Sequence, residues 1–395
     1  MKRVKITNGR ILTPWRDLGT GCVVVEDGVI RDVRAGDIEV QDAEVVDAGG
    51  CYVAPGFIEM HSHGAGGHDF MDATVEAFTG AARMHAMHGT TLICPTTIAS
   101  TVEGLMKTFA VYDEALKANT AGAAFCGLHL EGPYFSYEQR GAQDPKYLRN
   151  PQPEEYMAIL DATDHIARWS LAPELPGAMA FGRELVRRGI KPAIAHTSAT
   201  YDEVAEAFDN GFRHLTHFYS CMSTITRRDG FRYPGVIESG FIIGEMTLEL
   251  IADGCHVPPS LLKLVYDVKG ASRVALVTDS MRAAGMGDGP SILGSLAEGQ
   301  EVIVEDGVAK LLDRKAFAGS VATADRLIRV MRDACGIPMH ETVRMMTSTP
   351  ASILGVEGRK GSLVPGKDAD IVIFDEKTDV KLTMIGGNII YRKQS

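Results

Sequence analysis

Long apolar runs and basic clusters are both missing from this chain of 395 residues. It has no stretch of about 18 apolar residues, the length that crosses a bilayer, and its basic start is not followed by the apolar core of a signal peptide. The net charge is −11, and lysine and arginine form no clustered face for nucleic acid or an anionic membrane. The sequence therefore predicts a soluble, cytoplasmic protein that binds neither nucleic acid nor membrane.

Paired cysteines are also missing. The seven cysteines are odd in number, scattered along the chain and free of any Cys-x-x-Cys motif. These features argue against a disulfide framework and against a zinc knuckle. We therefore expect reduced cysteines in the core, at Cys22, Cys51, Cys94, Cys126, Cys221, Cys255 and Cys335.

The two ends of the chain consist of short strand-like segments separated by turns. Asp27-Gly28 lies between two apolar runs and is a strong hairpin signal. Neither end has enough strands for a stable sheet, so we predict that the two termini pair into one small β-sandwich domain. The strand-like segments are residues 4–12, 21–30, 43–50, 361–375 and 381–391.

Between the two ends, short apolar segments alternate with amphipathic helical segments. A chain of this length with 45% apolar residues can form one large α/β barrel with a small accessory domain, or two ordinary domains. Repeated strand-then-helix units favour a (β/α)₈ TIM barrel. A doubly wound sheet is the alternative, but no Gly-x-Gly-x-x-Gly turn follows a first strand. We predict an α/β fold with the barrel at residues 55–355 and the sandwich at residues 1–54 and 356–395.

Helix starts within the barrel region follow from local capping signals. Ser100 with Glu103 and Thr200 with Glu203 fit the capping-box pattern, and a further helix is expected from Val75 to His88.

His61 and His63 end an apolar run at a spacing of two residues. Side chains at this spacing in a strand point the same way, so both imidazoles are expected on one wall of a pocket. A His-x-His pair also occurs by chance in many proteins, and its significance depends on partners elsewhere in the chain.

Such partners occur at the carboxyl ends of other predicted strands: Glu131, His196, His217 and Asp279. In a barrel these ends meet at one mouth, which is where barrel enzymes keep their active sites. Nitrogen and oxygen ligands with one open position are typical of a catalytic divalent metal, which lowers the pKa of bound water. Glu131 could bridge two ions, and Asp279 is the best carboxylate for general base and acid catalysis, although it could instead cap a short helical turn.

The remaining histidines are expected to do less. His85 and His88 would complement a helix C-terminus, and His129 would support the metal ligands from outside. Ordinary surface or rim positions are expected for His165, His214 and His340, and a loop position without ligand function for His68.

Several motifs run in order along nearly the whole chain, and with them the sequence resembles the N-acetylglucosamine-6-phosphate deacetylases of the amidohydrolase superfamily. The resemblance implies a barrel with a β-sandwich built from both termini. It also implies that Glu131, His196 and His217 bind the principal metal, His61 and His63 hold a second ion, and Asp279 is the acid and base. The motifs are PGFIE (55–59), GLHLEGPY (127–134), RGAQD (140–144), AHTSAT (195–200), LTHFY (215–219), IADGCHV (251–257), VTDSMRAAGM (277–286) and AGS (318–320).

The resemblance also implies a set of substrate contacts, and in one segment of that set the sequence differs from the family pattern. Relatives usually show Asn-Ala-Met after the His217 strand and then a compact Arg-Glu-Pro-Gly, whereas this chain has Ser220-Cys221-Met222 and a longer segment up to Gly235. Relatives bind the 6-phosphate here, so the departure concerns the sugar and its phosphate. The expected contacts are Ala142, Gln143, Ser220, Cys221, Arg228, His256, Phe317, Ala318 and Gly319.

The favoured interpretation is metal-dependent deacetylation of N-acetylglucosamine 6-phosphate with one or two ions of Zn, Fe, Mn or Co, by a homodimer. Alternatives are the N-acetylgalactosamine 6-phosphate counterpart, a dihydroorotase-like cyclic amidase and a non-catalytic sugar-phosphate scaffold. The cyclic amidases commonly bridge two metals with a carboxylated lysine, whereas the bridging position here is Glu131.

Overall fold

Both ends of the chain contribute strands to one sheet in the computed structural model, which describes residues 2–394. Residues 52–55 pair with residues 371–374, so the termini meet as predicted. The predicted hairpin at Asp27-Gly28 is confirmed, because both residues have positive φ between two antiparallel strands. The strands are Arg3–Thr13, Arg16–Glu26, Val29–Ala35, Glu44–Asp47, Tyr52–Pro55, Ile371–Phe374, Val380–Ile385 and Asn388–Arg392.

Eight parallel strands form a closed barrel, which confirms the predicted fold class. Neighbouring strands pair in chain order, and the second and third strands meet at a bridge between Thr96 and His129. A bridge between Ser62 and Ser280 closes the barrel. The strands are β1 (Phe57–Ser62), β2 (Thr90–Pro95), β3 (Leu128–Glu131), β4 (Ile166–Leu171), β5 (Lys191–Ile194), β6 (His214–Leu215), β7 (Thr247–Ile251) and β8 (Val274–Val277).

Helices surround the barrel and bury their apolar faces against it. They are α1 (Val75–Met87), α2 (Val102–Ala118), α3 (Pro153–Ala162), α4 (Ala178–Arg187), α5 (Tyr201–Asp209), α6 (Val236–Ile242), α7 (Pro259–Lys269), α8 (Ala324–Arg329), α9 (Met339–Met346) and α10 (Ser348–Leu354). No helix in the described part of the chain has the length and apolar character that a membrane crossing requires.

The predicted helix starts are correct in two cases out of three. α1 begins at Val75, and Thr200 with Glu203 forms the capping box of α5. The capping box at Ser100 is wrong, because Thr101 caps α2 and accepts a hydrogen bond from Gly104 N at 3.1 Å. The error is one residue, since two neighbouring hydroxyl residues compete for the cap.

Short sheets that were not predicted interrupt the barrel pattern. The larger one is an antiparallel sheet between β8 and α8, and a bridge from Ser320 to Ser280 joins it to the barrel mouth. Its strands are Gly289–Leu293, Gln300–Glu305, Val308–Leu311 and Phe317–Ser320, and separate small hairpins are Gly64–Ala65 with His68–Asp69 and Thr226–Arg228 with Phe231–Tyr233. The strand Ala124–Phe125 extends the pairing of β2.

The expectation that every cysteine is reduced is wrong for one pair. Cys94 at the end of β2 and Cys126 just after the strand Ala124–Phe125 form a disulfide. They are 32 residues apart, and only the parallel pairing of these strands brings them together. The other five cysteines are free, as expected, but only Cys22 and Cys335 are buried. The expected core position is wrong for Cys51, Cys221 and Cys255, which are partly exposed.

Candidate metal centre

The six predicted residues meet at one mouth of the barrel. His61 lies near the end of β1, and Glu131 is the last residue of β3. The other four residues follow their strands within two positions: His63 after β1, His196 after β5, His217 after β6 and Asp279 after β8. Each of the six is at most 8% exposed. Parallel strands with a common register bring these residues together from distant parts of the chain.

Three of these residues have a left-handed backbone conformation, which residues other than glycine rarely adopt. The φ angles of His196, His217 and Asp279 are 46°, 32° and 46°. Such left-handed conformations cost about 1–3 kcal/mol each and persist where the surrounding structure requires them. Here the turn after each strand aims the side chain back across the mouth of the barrel.

Glu131, His196 and His217 form a first group of converging ligand atoms. Glu131 Oε1 lies 3.0 Å from His217 Nε2 and 3.4 Å from His196 Nε2, and the two Nε2 atoms are 3.2 Å apart. His196 Nδ1 donates to the carbonyl oxygen of Gln139 at 2.8 Å. This hydrogen bond leaves the Nε2 lone pair of His196 available to a cation.

His61, His63 and Asp279 form a second group next to the first. Asp279 Oδ1 is 3.2 Å from His63 Nε2 and 3.5 Å from His61 Nε2. The Glu131 carboxylate lies between the groups, with Oε1 3.5 Å from His61 Nε2 and Oε2 3.4 Å from His63 Nε2. The two oxygens of Glu131 therefore face both groups, which is the geometry that the predicted bridging role requires.

The donor atoms fit divalent cations. His61 Nε2 is buried and lacks a hydrogen-bond partner among the described residues, although it points at two carboxylates. Imidazole nitrogens facing each other and facing carboxylates are typical of catalytic metal sites with nitrogen and oxygen ligands.

The electrostatics of the mouth keep its carboxylates ionised. Burial raises the pKa of Glu131, but the neighbouring imidazoles, His61 foremost, reverse this effect and hold it well below its usual range. The same balance, with His61 and His63 as the neighbours, lowers the pKa of Asp279. Burial lowers the pKa of His63, yet the hydrogen bond to Asp279 and the charge of Glu131 raise it to about 9.

A cavity of about 240 Å³ opens onto both groups. Seven of the nine expected substrate contacts line it: Ala142, Gln143, Ser220, Cys221, His256, Phe317 and Gly319. Ala318 is completely buried in the core of the small sheet and does not line the cavity. Arg228 is exposed on the hairpin of residues 226–233, with its guanidinium over the Tyr233 ring, and does not line the cavity.

Two of the lining residues are already oriented by the protein. Gln143 Nε2 donates to Glu131 Oε2 at 2.8 Å, and its Oε1 accepts from Ala99 N at 2.9 Å. His256 Nδ1 is 2.8 Å from the Asp253 carboxylate, and its ring packs on Phe317. Nε2 of His256 is therefore the nitrogen left for a ligand.

Beneath the metal ligands lies a buried polar layer that sequence reasoning missed. Glu249 on β7 is completely buried and contacts Arg168, His214 and His61. The expected rim position of His214 is wrong, since this residue is only 4% exposed. The available signal was an acidic residue in the middle of the apolar run TLELI (247–251), facing the same way as its first and last residues.

Two other histidines are also placed. His85 is buried beside the Ser62 hydroxyl, and burial lowers its pKa to about 3, so the expected positive charge at the helix C-terminus is wrong for this residue. His129 hydrogen-bonds Thr96 and Ser170 and packs edge-on against His61, outside both ligand groups.

A closed barrel with six such residues at its mouth defines the class of protein. The profile of the Amidohydrolase family matches residues 52–390, and the chain belongs to this family. It is 32% identical to the N-acetylglucosamine-6-phosphate deacetylase of Bos taurus, over 98% of this chain and 96% of that protein. It is also 32% identical to the N-acetylgalactosamine-6-phosphate deacetylase of Escherichia coli O157:H7, over 96% and 97% of the two chains.

A solved structure is similar along the whole chain. It is a variant N-acetyl-D-glucosamine-6-phosphate deacetylase from Mycobacterium smegmatis in complex with N-acetyl-D-glucosamine-6-phosphate, with a TM-score of 0.90 and 31% identity. The similarity covers 99% of this chain and 100% of that one.

Proposed function

We propose that this protein hydrolyses the acetamide of an N-acetylated amino-sugar phosphate, with N-acetylglucosamine 6-phosphate as the first candidate substrate. The products are the free amino-sugar phosphate and acetate. The observation that carries the proposal is the Glu131 carboxylate between two groups of ligand atoms, with Asp279 beside the same cavity. Similarity to the deacetylases supports the choice of reaction.

Glu131, His196 and His217 would hold the principal divalent ion, and His61 and His63 a second one. Bound there, the ions polarise an amide carbonyl and lower the pKa of water. Zn, Fe, Mn and Co all accept this mixture of imidazole and carboxylate ligands, so the proposal names one or two ions of this group.

Asp279 is proposed as the general base and acid. Its lowered pKa keeps it ionised at neutral pH, so Oδ1 can accept a proton from water. The same oxygen then donates that proton to the leaving amine. His63 Nε2 at 3.2 Å and the turn after β8 orient the carboxylate toward the cavity.

Sugar recognition is proposed for the lining residues. His256 Nε2 and the polar edge formed by Ser220 and Gln143 can hydrogen-bond sugar hydroxyls, and Phe317 offers an apolar surface. The lining contains no lysine or arginine among the described residues, so the phosphate needs a cation from outside it. Arg228 on its exposed hairpin could supply one within the proposed cytoplasmic homodimer.

N-acetylgalactosamine 6-phosphate is the second candidate substrate. It is favoured by the departure at Ser220 and Cys221, both of which line the cavity, and by similarity to the relative named for that sugar. For the chain organisation we propose residues 55–355 as the hydrolase barrel and residues 1–54 with 356–395 as the sandwich.

A deacetylation panel tests the proposal. Purified protein loaded with Zn, Fe, Mn or Co is given N-acetylglucosamine, N-acetylgalactosamine and their 6-phosphates, and acetate is measured. We expect release from at least one 6-phosphate at a rate far above that from the matching free sugar. Lack of release from all four sugars with every metal contradicts the proposal, and equal rates with and without phosphate contradict the phosphate requirement.

A further inference from the structure

The buried layer beneath the ligands links four barrel strands through one carboxylate. Glu249 on β7 receives the Arg168 guanidinium from β4 on Oε1, and His214 Nε2 from β6 lies 3.1 Å from the same oxygen. Its other oxygen, Oε2, is 3.0 Å from His61 Nδ1 and accepts from His217 N at 3.2 Å. These four side chains are at most 5% exposed, so little solvent competes for these hydrogen bonds.

The two oxygens of Glu249 have different partners with different consequences. The Arg168 guanidinium can only donate hydrogen bonds, so it needs an acceptor on Glu249. It also donates to the Met60 carbonyl oxygen at 3.1 Å, which fixes its position. The remaining oxygen faces His61 Nδ1, where an ionised carboxylate can only accept. His61 Nδ1 must therefore carry a proton, which leaves Nε2 as the ring nitrogen that can bind an ion at the mouth of the barrel.

We infer that Glu249 is a positioning residue that holds His61 in the Nδ1–H tautomer, and that binding of an ion by His61, His63 and Asp279 depends on it. The inference rests on the proposed function only in that this group holds an ion. Hydrogen bonds to metal-bound histidines orient the ring and fix its tautomer.

The ring orientations in the first group, Glu131, His196 and His217, do not depend on the Glu249 carboxylate. His196 Nδ1 donates to the backbone carbonyl of Gln139, which no side-chain substitution removes. His217 donates only its backbone N–H to Glu249 Oε2, at 3.2 Å, so this contact does not fix its ring. Loss of the Glu249 carboxylate should therefore weaken the second ion more than the first.

Glu249→Gln is the matched test. Arg168 requires the amide oxygen, so the amide NH₂ turns toward His61 and can only donate. His61 Nδ1 then becomes an acceptor, Nε2 takes the proton, and the lone pair for the ion is lost. We expect about 10- to 100-fold weaker binding of the second ion, with the first retained.

The measurement is equilibrium dialysis of chelator-treated protein against Co²⁺, with bound cobalt counted per chain and the visible spectrum recorded at each equivalent. The control is Asp325→Asn, which alters a partly buried histidine–carboxylate contact, 2.9 Å from His88 Nδ1, away from the cavity. We expect two ions in the wild type and in this control, and one tightly bound ion in Glu249→Gln. Two tight ions in Glu249→Gln would overturn the inference.

A second measurement does not require the variant to fold or the wild type to bind cobalt. Long-range ¹H–¹⁵N correlation on metal-free, ¹⁵N-histidine protein reports which ring nitrogen carries the proton, with His61 assigned by comparison with His61→Asn. A proton on Nδ1 supports the inference, and an unprotonated Nδ1 overturns it. Failure of the wild type to take up ions would instead contradict the proposed metal chemistry.

Discussion

His196, His217 and Asp279 show how single residues build the candidate centre. All three have left-handed backbones just after a strand, a conformation that glycine adopts more easily. The backbone strain is tolerated because each turn places its side chain at the mouth of the barrel, next to the other candidate ligands. A glycine would relax the backbone and remove the ligand, so the chemistry of the side chain outweighs the conformational cost.

Replacing Asp279 by Asn tests its proposed role in proton transfer. The amide keeps the size of the side chain but cannot accept and return a proton, so kcat should fall by about 10²- to 10⁴-fold. The principal ion should remain, since Glu131, His196 and His217 are unchanged. Acetate release and metal content are measured on the same preparation, and activity above a few per cent of the wild type would show that another group transfers the proton.

The raised pKa of His63 predicts pH-dependent ion binding. A pKa of about 9 means that the metal-free imidazole is protonated at neutral pH, so a cation must displace that proton. Affinity at the second group should therefore rise with pH and level off above about pH 9. Calorimetry in buffers of different ionisation enthalpy counts the protons released, and uptake or no change near neutral pH would contradict the prediction.

Among the elements, the strand Phe317–Ser320 connects the small sheet to the mouth of the barrel. Ser320 N donates to the Asp279 carbonyl oxygen at 2.8 Å, and Ser280 bridges to Ser320. Gly319, the residue before Ser320, has a φ of 75° and lines the cavity. This strand therefore sets both the backbone of Asp279 and one cavity wall.

Replacing Gly319 by Ala should disturb both features. The added Cβ would lie 3.1 Å from the Asp279 carbonyl oxygen, in a conformation that costs a side chain about 1–2 kcal/mol. We expect reduced stability together with lower kcat/KM. Gly287→Ala is the matched control, since it has a φ of 103° and nothing within 4 Å, and it should lose stability without loss of activity. Equal kinetic effects in both variants would contradict a specific role for this strand.

Considered as a whole, the molecule depends on closing the barrel around buried charge. The mouth concentrates four histidines and Asp279 around Glu131, and the layer below adds the Arg168–Glu249 ion pair. The terminal sheet leads directly into β1, since its strand at residues 52–55 ends two residues before β1 begins. The same strand pairs with residues 371–374, which ties both ends of the chain to the barrel. Bound cations would offset repulsion among carboxylates, including Glu131 and Asp279.

Removal of metal should therefore destabilise the whole fold. An ion that binds only the native state adds about 2.7 kcal/mol at a free concentration 100 times its Kd. We expect the Tm to fall after chelation and to recover when the ion is restored. Differential scanning calorimetry measures both steps, and an unchanged Tm in a chain that has demonstrably lost its ions would contradict the prediction.

The fold class and most of the site could be predicted because they depend on local patterns. The Asp27-Gly28 turn, the strand-then-helix alternation and polar residues at strand ends each follow from neighbours in the chain. The small sheet at residues 289–320 was missed although Asp306-Gly307 lies between two apolar runs, which is the same hairpin signal as Asp27-Gly28. It lies within the barrel region, where only the strand-then-helix pattern was expected. Ser100 was chosen as a cap because Thr101 offers the same hydroxyl.

What the residue order could establish was the family of chemistry, since His61, His63, Glu131, His196, His217 and Asp279 have the atoms and the strand-end positions that divalent ions require. The tertiary structure decided which of the remaining residues lie next to these six. The Cys94–Cys126 disulfide, the position of Arg228 outside the cavity and the contact of Glu249 with His61 all depend on distances between strands. Local sequence carries no such distances, because closure of the barrel sets them through the packing of all eight strands.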